Sequence, residues 1–158
     1  MNRMLSCGLA ALVLAGCSAR ESAPPAPALE SYATARQVML GLTIPATDVI
    51  WGVANEMPAD DAAWERVVAN ALMVAESGNL LLTGPRNPQQ ADWTQMVQEM
   101  IKHARAAAAA AEKHDVDGVA AAGDELYNAC DSCHNKYMPA KAAELAGQQA
   151  DAAQAPAQ

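Results

Sequence analysis

Five consecutive residues carry the densest chemistry in the chain: Cys130-Asp131-Ser132-Cys133-His134. The spacing is Cys-x-x-Cys-His, the attachment signature of a c-type haem. On a helix, positions three apart share a face, so both thiols can reach the two vinyl groups of one porphyrin. His134 follows Cys133 directly and stands one turn from Cys130, so its imidazole rises from the same face toward the iron. Imidazole is a good proximal ligand, and covalent tethering holds the ring even at low affinity. Other uses of the pair fit less well. A thioredoxin-like redox pair needs a βαβ setting, and no stretch here looks like a strand. Zinc needs four ligands, and only His103 and His114 remain to complete the set. A disulfide between positions three apart on a helix is geometrically poor. The expected cofactor is therefore one haem c per chain, covalently attached to Cys130 and Cys133, with His134 on the iron.

The remaining cysteines have a different explanation. The chain has four. Cys7 falls in residues 1–16, which read as a secretion signal: Arg3 at a short positive end, then an apolar run too short to span a bilayer. The run ends in Leu14-Ala15-Gly16-Cys17, which resembles the lipobox of bacterial lipoproteins. That resemblance implies cleavage before Cys17 and lipidation of Cys17, so that acyl chains anchor the protein to a membrane facing the periplasm. Ser18 favours the outer membrane by the sorting rule of that family. Residues 17–28, with Pro24, Pro25 and Pro27, read as an extended tether. Residues 143–158, rich in Ala and Gln, read as a disordered tail. The folded unit is expected over residues 29–142, a one-domain length.

The elements that must position the motif are helices. Ala makes up about a quarter of the residues, far above ordinary usage. It is the best helix former, and the fold class expected is all-α. Apolar spacing predicts four helices. The first covers residues 30–55 with a kink or break at Ile44, because Pro45 disfavours the α region there. The second starts near Pro58, Asp60 and Asp61, where acids face the positive dipole end. Its stripe runs Trp64, Val67, Val68, Ala71, Leu72 and Ala75. Asn87-Pro88 suggests the start of the third, whose stripe includes Trp93, Met96, Val97 and Met100. Asp115 can cap the fourth, which carries the Cys pair. Short connections between long helices imply an antiparallel four-helix bundle with covalent haem on the fourth helix. The formal charge of -8 excludes nucleic acid as a natural partner, since phosphate binding needs clustered Lys and Arg. Removing residues 1–16 takes away one Arg and no acid, which makes the charge -9.

The motif's place near the end of the last helix, continued as Cys-His-x-x-Tyr with Tyr137, resembles the class II cytochromes c, the cytochrome c-prime family. The resemblance covers about residues 29–139. It implies Cys130 and Cys133 as thioether attachments, His134 as proximal ligand and Tyr137 packed by the haem. It also implies that the first helix covers the distal face. Arg36-Gln37-Val38-Met39-Leu40 resembles the family's Arg-x-x-x-hydrophobic segment. Under that match Leu40 lies over the iron, which stays five-coordinate, and Arg36 sits near a propionate. Some members instead place a Met on this helix as sixth ligand, and Met39 is the candidate here. Neighbouring residues differ by about 100° in direction, so Met39 and Leu40 cannot both point at the iron. The sequence leaves both open. Met138 stands where the family often has a basic residue.

The resemblance implies a periplasm-facing monohaem cytochrome carrying single electrons between periplasmic or membrane redox proteins. The alternative is a five-coordinate haem protein that binds NO or CO. Neither is an enzyme, and no Ser/His/Asp set, phosphate loop or carboxylate pair is legible. The family's habit of pairing allows a homodimer. His103 reads as a solvent or core-edge residue and His114 as a cation at a helix C-terminus. Met96 and Met100 read as core, and Trp51, Trp64 and Trp93 as core or haem wall.

Overall fold

The computed structural model describes residues 30–138 and 140, and among them every regular element is helical. The signal-like residues 1–16, the tether 17–28 with Cys17 and the tail 143–158 lie outside the described residues. In chain order the elements are α1 (Ala35–Val38), a π-turn (Met39–Thr43), α2 (Ile44–Gly52), α3 (Asp61–Leu81), a 3-10 turn (Gly84–Arg86), α4 (Ala91–Ala111) and α5 (Val116–Tyr137). The first three run on without a break and form one helical segment. Among the described residues there are thus four long helical segments, packed in a bundle-like, all-α fold. No helix among the described residues is long and apolar enough to cross a membrane.

The caps explain most boundaries. Asp60 Oδ1 accepts from Ala63 N at 2.7 Å and starts α3, and Asp115 Oδ1 accepts from Gly118 N at 2.9 Å and starts α5. The first segment starts later than periodicity suggests. Thr34 and Gln37 form a capping box: Thr34 Oγ1 accepts from Gln37 N, and Gln37 Oε1 accepts from Thr34 N. That signal is present in the sequence as Thr-x-x-Gln. Asn87 does not cap α4. Its Oδ1 accepts from Gln89 N at 2.8 Å, which folds an Asx-type turn, and α4 begins at Ala91. Pro45 does not break the first segment. The helix passes it by widening into the π-turn immediately upstream.

α4 packs against both α3 and α5, and these are the most extensive contacts in the molecule. It does so with small residues: Ala104, Ala107, Ala108 and Ala111 are all buried. Ile50, Val74, Leu81, Val119 and Leu126 supply the bulk of the fully buried volume. Leu72, expected in the buried stripe of α3, is 46% exposed. Close approach of α3 and α4 depends on Gly78. A Cβ there would lie 2.5 Å from Ile101 Cγ1 and 3.0 Å from Met100 Cε. Gly78→Val is therefore expected to overpack this contact and cost about 1–3 kcal/mol. Urea unfolding would check it, and an unchanged midpoint would mean that the two helices part freely.

Candidate functional site

The last turns of α5 carry Cys130, Cys133 and His134 into an apolar cleft. The cleft holds about 590 Å³ of atom-free space, part of it open to solvent. Its walls come from every long segment. Met39, Thr43 and Trp51 belong to the first segment, Leu81 to α3, and Met96, Val97 and Met100 to α4. Almost no polar surface is exposed within it, because its hydroxyls are already committed. Thr43 Oγ1 donates to Ser77 Oγ at 2.8 Å, and Thr47 Oγ1 donates to the Ile44 carbonyl at 2.9 Å. Trp51 is held across Gly123 by donating Nε1–H to the Gly123 carbonyl at 3.1 Å. Its ring meets Tyr127 edge-on at 6.2 Å.

Met39 stands on this wall and Leu40 does not. Leu40 is 49% exposed, and Arg36 is exposed as well. Of the two residues the sequence left open, Met39 lines the cleft and Leu40 is not among its lining residues. Met96 and Met100 also line the cleft. Their spacing in the sequence marks one helix face, but nothing in it distinguishes a cleft wall from ordinary core.

Tyr137 is not among the lining residues. Its ring packs edge-on against Trp93 at 4.9 Å. Its hydroxyl lies 3.0 Å from Asp92 Oδ1 and 3.1 Å from Gln90 Oε1, with one proton to share between them. Lys136 pairs with the other oxygen of Asp92. Trp93 in turn donates Nε1–H to the Leu81 carbonyl at 3.1 Å. The motif-bearing end of α5 is thereby latched to the start of α4. Trp64 lies away from the cleft, with His114 stacked on it at 5.0 Å. His103 faces Glu99, with Nε2 3.3 Å from Oε2, in a separate groove that Glu125 also lines.

Both motif cysteines are free thiols. Burial pushes the Cys130 thiol up to about 11, and the neighbouring Cys133 and Asp131 add to the shift. Burial also raises Cys133. A redox-active or metal-binding pair needs the opposite, a thiol that ionises easily. Among the described residues no three His, Cys, Asp or Glu side chains gather as metal ligands would.

The raised values have measurable consequences in the chain with both thiols free. A thiol that is raised in the folded state stabilises that state while neutral. The advantage is complete below the ordinary value of 9.0 and is lost as pH rises to about 11. At neutral pH, Cys130 is expected to alkylate about a hundredfold more slowly than an ordinary cysteine. The melting temperature of the unloaded chain should fall between about pH 9 and 11, and Cys130→Ser should flatten the fall. Iodoacetamide rates and melting curves test both, and an ordinary alkylation rate would show that the thiols are open to water.

Compared with known proteins, the chain matches no family model, and no curated protein matches it.

Proposed function

We propose that the protein is a monohaem c-type cytochrome of the class II kind, an antiparallel four-helix bundle that carries single electrons. The observation that carries this reading is the shared cleft. Both thiols and the imidazole of the Cys-x-x-Cys-His motif open into one apolar space, with a thioether, Met39, on the wall formed by the first segment. The residues fit a haem on three counts: an apolar lining, two free thiols at the attachment spacing, and hydroxyls turned away into their own hydrogen bonds. Haem would supply a one-electron ferric/ferrous couple.

The chain's own residues would do the rest. Cys130 and Cys133 would hold the porphyrin through thioethers. His134 from α5 and Met39 from the first segment would hold the iron. Leu81, Val97 and Trp51 would exclude water, and dry surroundings with a neutral thioether ligand favour the less charged, reduced form. Met39 on the cleft wall favours electron transfer over capture of NO or CO, which needs an open position on the iron. Lipid attachment at Cys17 would hold the domain on the periplasmic side of a membrane, at the end of a Pro-rich tether. That confinement raises encounter with membrane oxidoreductases.

The test is the visible spectrum of the reduced protein, expressed in a host that matures c-type haem. Sharp, split six-coordinate bands are expected. A broad five-coordinate spectrum that shifts on adding CO would replace the carrier reading with gas binding. No covalent haem at all would overturn both.

A further inference from the structure

The cleft reaches the protein surface through an aromatic pair. Trp51 lines the cleft, and its ring also meets the ring of Tyr127 on α5, with 6.2 Å between centroids. The hydrogen bond from Trp51 Nε1–H to the Gly123 carbonyl fixes the pair across α2 and α5. Tyr127 is 48% exposed, so one ring contact leads from the cleft wall to solvent. Tyrosine is enriched among the anchors of protein interfaces, because it is large, stiff and polar at one end.

The charges around this pair have one sign. Asp117, Asp124 and Asp131 recur every seven residues along α5, and all three are exposed. At about 100° per residue they fall on one stripe about 40° wide. On the same count Tyr127 lies between that stripe and the cleft residues His134 and Cys130. Asp48 is exposed one turn before Trp51 on α2. Residues 45–61 hold four acids and residues 115–135 hold five, half of the chain's 18, and neither stretch has a Lys or Arg. Asp131 accepts from neutral Asn135 Nδ2 at 2.7 Å, which leaves its charge in place. Lys136, the next cation along α5, is paired with Asp92 on α4. The other helices are mixed instead: Arg66 lies on α3, and Lys102 and Arg105 lie on α4 beside Glu99. The single sign therefore belongs to the α2–α5 side and is not simply the net charge of the chain.

We propose that the exposed α2–α5 face around Tyr127 is the docking surface for a basic redox protein, with Tyr127 as its anchor and Asp48, Asp117, Asp124 and Asp131 as its charged rim. This rests on the haem reading above. The rim attracts Lys and Arg side chains on the partner and turns acidic proteins away. A partner seated there stands one aromatic pair from the cleft, where its own redox group is brought close to the site.

The test uses the full-length holoprotein and a lysine-rich mitochondrial-type cytochrome c as probe. Amide NMR shifts on adding the probe are expected to centre on residues 117–131 and 48–55. They should vanish near 1 M salt, where screening acts over about 3 Å. Asp117→Asn with Asp124→Asn is expected to weaken binding about tenfold at low salt, and Tyr127→Ala by a similar factor. Glu65→Gln with Glu112→Gln removes the same charge from the exposed α3–α4 side and should leave affinity within about twofold. Equal weakening by both charge pairs would mean that overall charge alone recruits the probe, and would overturn the proposal. Shifts centred on α3, or shifts that persist at high salt, would overturn it too. If Tyr127→Ala disturbs the fold, the two charge pairs still decide, because all four positions are exposed. Failure of the haem reading looks different: the wild-type protein would show no covalent haem in its reduced spectrum, whatever the shifts.

Discussion

The Cys130→Ala/Cys133→Ala double variant is expected to retain no haem through denaturation and solvent extraction, while the wild-type chain keeps one. On the proposed haem reading each thioether would be a covalent tether, so either single variant should still hold the porphyrin by its remaining bond. Without both, the ring depends on His134, Met39 and the apolar walls. That contact survives only while the cleft exists, and unfolding destroys it. Haem staining on a denaturing gel and intact mass distinguish the cases. Haem that stays with the double variant after unfolding would place the attachment elsewhere and remove the central role of the motif. The same gel on a His134→Ala chain separates tethering from ligation, because covalent haem should remain while its spectrum changes.

Leu126→Ala is expected to destabilise the protein by about 2–5 kcal/mol. Leu126 is 0% exposed and stands one turn before Cys130 on α5. The buried face of α4 carries Ala104, Ala107, Ala108 and Ala111, short side chains that cannot reach into a space opened on α5. Domains of this size have about 5–15 kcal/mol in total, so the loss is a large share. Leu72→Ala removes the same atoms from an exposed site on α3, and is expected to stay within about 0.5 kcal/mol. Urea unfolding of the two variants side by side checks the contrast. Equal losses would mean that the buried surface of α5 does not hold the bundle together.

Much of the helical plan was legible because its punctuation is local. Asp60 and Asp115 announce α3 and α5 by side-chain chemistry that acts within three residues. The Thr34–Gln37 box was equally local, yet the apolar pattern upstream obscured it. What the sequence could not yield was register. The π-turn adds one residue to one turn, and periodicity arguments assume a constant angle, so a buried Val38 beside an exposed Leu40 could not be read from spacing. Pro45 marked the disturbance, though it could not say whether the helix would break or widen. The cleft was half legible. Cys130, Cys133 and His134 declared themselves by spacing, whereas Met96 and Met100 look like any buried stripe until α5 is laid beside them. Tyr137 was visible as part of the motif, but its partner Trp93 lies 44 positions earlier in the chain, beyond any local pattern.

The latch between Tyr137, Trp93 and Asp92 bears on speed. When a site gains or loses one charge, the barrier depends on how far its surroundings must move to suit the new charge state. Here the end of α5 that bears His134 is pinned to α4 by a ring contact, a shared hydroxyl proton and the Lys136 ion pair. The walls facing it are apolar, and their hydroxyls are fixed in hydrogen bonds of their own. On the proposed haem reading, such a site would relax little between oxidation states. Its reorganisation energy would be small, and electrons could cross quickly even where the driving force between partners is slight.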